Sequence, residues 1–219
     1  AGANIALTTG ASQFALRGSA SAVLVTANSL QAALTIGTPA ILPNPVVAFV
    51  GDVTVTGLGT AAGASVDAIN LDGSLRVETT DLNASTILLG AQNDNATVVV
   101  AIGAGLNATT VTAGAYTGTL SLGGAGDIIV TGLHGAINAN ADLGILPAGL
   151  DPATGSLTIG LAANYASTIT VGDNTAVAVT SGDVDLALPA GLDGTRSAVT
   201  INASAMVTNT NITVNDSTV

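Results

Sequence analysis

LDGSLRVETTDLNASTILLG, residues 71–90, aligns without a gap to ATGSLTIGLAANYASTITVG, residues 153–172, at an offset of 82. Each copy carries a Gly-Ser turn, an alternating run, a second turn and a second alternating run. Alternation of period two puts Leu75 and Val77 on one face of a strand and Arg76 and Glu78 on the other. The repeated unit is therefore strand, turn, strand, and the chain reads as all-β.

Two further matches flank this one. GDVTVTGLG (51–59) resembles GDIIVTGLHG (126–135), and LPAGLD recurs at 146–151 and 188–193. Three matches in one order point to a duplication, giving repeat units at 51–125 and 126–219. Residues 1–50 match neither unit clearly and read as an N-terminal cap or docking segment. A finer period runs beneath. Apolar pairs with one residue between them begin at Val53, Leu75, Val98, Leu120, Leu157, Val177 and Val199, in steps of 22, 23, 22, 37, 20 and 22. That spacing predicts a parallel β-solenoid with rungs of about 22 residues, each rung burying its apolar face against the next. The step of 37 is expected to be one rung carrying a loop near 134–152. The alternative is two tandem Ig-like β-sandwiches, since strands every ten residues in such a unit fit that fold too.

Composition favours the solenoid. Of 219 residues 48% are hydrophobic but only 2% aromatic, and sandwich cores usually hold large rings. Stacked Val, Ile, Leu and Ala suit a thin interior. An Ala-rich stretch at 11–34 has helix propensity, but Val23-Leu24-Val25 interrupts it and no cap starts it.

The charge balance excludes whole classes of function. Fourteen acidic residues face three arginines, Arg17, Arg76 and Arg196, for a net charge of -11. Neutralising phosphates needs Lys and Arg, so nucleic acid is not an expected partner. With no Cys, zinc-finger, thiol-redox and disulfide frameworks are excluded. No run approaches the about 20 apolar residues of a spanning helix, so no transmembrane segment is expected. Residue 1 is Ala, the expected start of a secreted chain whose leader has been removed. Six Asn-x-Ser/Thr sequons begin at Asn83, Asn95, Asn107, Asn202, Asn211 and Asn215.

Catalytic candidates are sparse, and no enzyme activity is expected. His134 is the one imidazole, in a Gly-Leu-His-Gly turn without a nucleophile elbow beside it. Glu78 is the one glutamate. Hard oxygen ligands are more numerous, and calcium takes six to eight of them. The metal candidates are Asp94 and Asp173 beside Asn, Asp183 with Asp185, Asp193 after Gly191-Leu192, and Asp127 in a Gly-rich segment. Gly123-Gly124-Ala125-Gly126-Asp127 resembles the calcium-binding GGxGxD nonapeptides of RTX proteins. It lacks one residue before the Asp and occurs once rather than in tandem. Calcium is thus the one candidate cofactor.

Richness in Ala, Gly, Thr, Asn and Asp without Cys or Lys resembles repetitive bacterial cell-surface proteins, namely filamentous-haemagglutinin-like solenoids and surface-layer proteins. The resemblance implies a secreted scaffold whose usual work is adhesion or lattice and filament assembly. The expected function is an extracellular structural protein that self-assembles with copies of itself into a filament or surface layer. An adhesin or calcium-stiffened module, with a cell-surface glycan as partner, is the alternative. The pairs in Thr54-Val-Thr56, Thr110-Val-Thr112 and Thr168-Ile-Thr170 would suit ice binding, but they do not recur on every rung, and solvent-facing Thr chosen for β propensity accounts for them.

Overall fold

The computed structural model describes residues 2–7, 13–37, 47–79, 83–90, 97–103, 107–140, 153–162, 167–180, 199–204, 206 and 211–215. Among them there is no helix, and so none long and apolar enough to cross a membrane. The strands fall into two sheets. Sheet A runs β1 (Gly2–Ala6), β3 (Ser19–Thr26), β5 (Phe49–Leu58), β8 (Leu75–Thr79), β10 (Val98–Ile102), β12 (Thr119–Gly124), β14 (Ala136–Asn138), β16 (Ser167–Thr170), β18 (Val199–Asn202). The short β7 (Leu71–Asp72) also pairs with β5. Sheet B runs β2 (Phe14–Leu16), β4 (Ala33–Ile36), β6 (Ser65–Ala68), β9 (Thr86–Leu89), β11 (Thr109–Thr112), β13 (Ile128–Leu133), β15 (Leu157–Leu161), β17 (Ala176–Thr180), β19 (Asn211–Asn215).

The chain alternates between the sheets, one strand in each per rung, and its ladders are parallel. This is a parallel β-solenoid. Tandem Ig-like sandwiches would need antiparallel pairs. Val53, Leu75, Val98 and Leu120 stand in register on successive strands of sheet A, so those steps are whole rungs. The last step of 22 is not, because Val177 lies in sheet B in register with Ile212 while Val199 lies in sheet A in register with Ser167. Neither is the step of 37. Leu120 pairs with Ile137 on β14, while Leu157 lies in sheet B, in register with Ile128 of β13. The expected loop near 134–152 contains a strand, β14, because both sheets bury the same residue types and alternation does not say to which sheet a strand belongs.

The inward residues form one continuous core, from Val25 and Ile36 near one end to Val177 and Val179 near the other. Val55, Val77 and Val100 stack in register, one strand spacing apart, about 4.8 Å, while Ile102 lies between Thr79 and Gly124 and Ile128 meets Thr109. Tyr116 is the large exception. It is fully buried, and its hydroxyl donates to the Thr119 carbonyl at 2.9 Å. Residues 2–7 and 13–37 carry the first two rungs of the same sheets, β1 to β4, and β5 opens at Phe49.

The repeat has an unexpected geometry. Strands β5, β8 and β9 match β13, β15 and β16, each seven strands on when β7 is left out. Seven is odd, so every match crosses to the opposite sheet, three and a half rungs along. The local structure follows the sequence across. Val-Thr-Gly-Leu makes a one-residue bulge in both places, between Val55 and Leu58 on sheet A and between Val130 and Leu133 on sheet B. Gly57 and Gly132 take φ of 73° and 64° there, the left-handed conformation such bulges place on glycine. The two sheets are built from interchangeable parts.

Candidate functional site

The matched segments also carry a polar device at the rung corner. The Asp52 carboxylate accepts the Ser74 N–H at 3.0 Å, one rung on. The Asp127 carboxylate accepts both the N–H and the hydroxyl of Ser156, at 2.8 and 2.7 Å. In each case a Gly-Asp corner lies against the Gly-Ser corner that stacks on it. A Cβ on Gly73 would collide with the Gly51 carbonyl, and one on Gly155 with that of Gly126. Glycine there lets the corners approach closely enough for the carboxylate to reach a backbone donor. The signal was present in the sequence, as Gly-Asp followed 22 or 29 residues later by Gly-Ser.

The other sequence candidates are scattered. Asp127 of the RTX-like segment is engaged with Ser156 through one oxygen. Asp173 is half-buried at the turn before β17, where the buried Asn174 accepts the Gly172 N–H at 3.0 Å and donates to the Gly155 carbonyl at 2.8 Å. Asp94, Asp183, Asp185 and Asp193 lie outside the described residues. Among the described residues no three acidic or imidazole side chains converge. His134 sits between β13 and β14, with Nδ1 2.9 Å from the Gly132 carbonyl. Glu78 is bridged at 3.0 Å to Arg76 on its own strand.

Two of the sequon asparagines serve local structure. Asn83 donates from Nδ2, the atom a glycan would occupy, to the carbonyls of Gly59 and Thr60 at 3.1 and 3.2 Å. Asn202 accepts the Ser204 N–H at 3.1 Å, and Asp67 and Asn138 make the same turn with Ile69 and Asn140. An Asx-Ala pair ending a strand is thus part of the turn chemistry. The three Thr pairs are divided between the sheets, 54/56 and 168/170 on A and 110/112 on B, so they form no single array. Thr112 meets Thr131 of the next rung at 3.3 Å.

The feature that stands apart is the pair of end rungs. Ile212 and Val214 of β19 occupy the inward positions directly above Val177 and Val179. The lower pair is 1% and 0% exposed, the upper pair 37% and 55%. Beside them Val199 and Ile201 of β18 are only half-buried. At the other end Ile5 of β1 and Phe14 and Leu16 of β2 face the core, half-buried, over Val25, Leu34 and Ile36. Among the described residues these four strands have no outer neighbour, so each presents a row of N–H and C=O groups beside apolar side chains. None of the four carries a charge: GANIA, FAL, VTIN and NITVN. No family model matches the chain, and no curated protein or solved structure shows a similarity to it.

Proposed function

We propose that this chain is an extracellular structural protein whose copies join into a filament or surface layer. The observation that carries the reading is the exposure of Ile212 and Val214 at positions that every inner rung buries. Among the described residues the parallel edges beside these aliphatics are unpaired, and such edges are templates for strand addition. The charge-free end strands support the same reading. In a chain of net charge -11, association through any acidic face brings like charges together, and neutral ends avoid that cost. The absence of Lys, a common guard of edge strands, points the same way. Calcium belongs to this proposal as a cation that offsets repulsion between the acidic flanks.

Negative-stain electron microscopy of the purified chain, with calcium and then with a chelator, tests the proposal. Filaments or sheets are the expected result, and their loss on chelation would place calcium at the contacts. Dispersed particles at all concentrations in both conditions would refute self-assembly.

A further inference from the structure

The sequons are a motif that assembly leaves unused, and the structure divides them into two kinds. An Asn-x-Ser/Thr acceptor needs two things from the fold: a free amide nitrogen on the asparagine and an accessible hydroxyl two residues on. We propose that the folded chain carries N-linked glycans at Asn202 and Asn211, and none at Asn83 or Asn107. The proposal rests on the extracellular part of the reading above, since such glycans belong to the surfaces of exported proteins.

Asn83-Ala84-Ser85 and Asn107-Ala108-Thr109 are parts of the fold. They occupy the same corner of successive rungs, where Thr110 pairs with Thr86 and so sets Thr109 against Ser85. Ser85 is 2% exposed and Thr109 0%, so both hydroxyls lie inside. The Asn83 amide nitrogen donates to two carbonyls of the preceding rung, and a glycan on it would remove at least one of those bonds. A small polar residue at this corner accounts for both matches to the sequon without any modification.

Asn202-Ala203-Ser204 and Asn211-Ile212-Thr213 are presented outward. Ile201 pairs with the buried Ile169, so Asn202 faces away from the core, beside Thr170. Ile212 pairs with the buried Val177, so Asn211 and Thr213 face away on sheet B, beside Ala176 and Ala178. Both directions are set by the strand on the inner side and hold whatever lies on the other. Asn202, Ser204, Asn211 and Thr213 are all exposed. Asn202 uses only Oδ1 in its turn, to accept the Ser204 N–H, and its Nδ2 makes no hydrogen bond among the described residues. The turn itself does not call for serine, since Asp67 and Asn138 close it on Ile69 and Asn140. The Ser204 hydroxyl is therefore not needed by the fold and is open to an enzyme. Asn95 lies outside the described residues, as does Ser217 of the sequon at Asn215.

The step is a glycosyl transfer from a sugar joined through a diphosphate to a lipid carrier. The bond from the anomeric carbon to the diphosphate oxygen breaks and a bond from that carbon to Nδ2 forms. One Nδ2 proton passes to solvent, and the lipid diphosphate leaves with the electron pair. Peptide mass spectrometry of the chain recovered from the cells that make it, surface and cytosol separately, tests the proposal. Glycan is expected on Asn202 and Asn211, with Asn83 and Asn107 bare. Asn202→Gln and Ser204→Ala are each expected to lose the first glycan, and Thr213→Ala the second. Ser204→Ala keeps the turn, whose bond runs to the backbone N–H, so its loss of glycan reports the hydroxyl and not a changed fold. Glycan on Asn83 or Asn107 would overturn the proposal and leave the extracellular reading standing. A bare Asn202 or Asn211 in chain recovered from the surface would do the same. Recovery from the cytosol alone would overturn the extracellular reading, and this proposal with it.

Discussion

Strands β17 and β19 are neighbours in one ladder, carry the same inward alternation and stand in register, yet one is sealed and the other open. Nothing in AVAVT or NITVN accounts for the difference. It arises because, among the described residues, β17 has a strand on each side and β19 has one on its inner side only. In a globular domain a strand is buried by elements distant in sequence. Here burial is conferred by the next rung.

The sharpest way to break the comparison is to charge both places. Val179→Asp puts an unpaired carboxylate between two covered rungs and should cost more than about 4 kcal/mol, enough to abolish cooperative thermal unfolding seen by circular dichroism. Val214→Asp puts the same group on the open edge. The fold should survive with a change of no more than about 1 kcal/mol, while sedimenting assemblies disappear. Equal destabilisation by the two substitutions would show that β19 is covered in solution.

Smaller effects test how tightly the inner rungs are held. Gly155→Ala drives a Cβ into the Gly126 carbonyl and should cost about 2 kcal/mol in chemical denaturation. Tyr116→Phe leaves the Thr119 carbonyl without the hydroxyl and should cost about 1 kcal/mol. Ser156→Ala removes one of the two bonds to Asp127 and should cost about 0.5 kcal/mol, visible as a small fall in melting temperature. Thr109→Val should act in the other direction. The Thr109 hydroxyl is buried with no hydrogen-bond partner, so a methyl of similar size should raise stability by up to about 1 kcal/mol.

These sites also show what could be read before the fold was known. Strand class and the rung period through Val53, Leu75, Val98 and Leu120 were legible, because each depends on residues near one another in sequence. The sheet to which a strand belongs was not. β14 is only Ala136-Ile137-Asn138, and its rung advances 17 residues from Leu120, so its neighbour Leu157 passed for the next rung of the same sheet. The role of Asp127 was hidden for a related reason. An aspartate in a glycine-rich turn suggests a cation until the register brings Ser156 to it from 29 residues away.

The direction of the ladders has a mechanical consequence. In this architecture backbone hydrogen bonds, and the Asp-Ser contacts that span two rungs, run along the stacking axis rather than across it. Tension applied along that axis loads each ladder as a zipper and not in shear, so yielding starts at an end and passes inward one coil at a time. Each release from Val53 to Leu75 would free 22 residues, about 75 Å of extended chain. Such a stack lengthens in small repeated increments under load and absorbs work at each one, where a single cooperative domain would fail once.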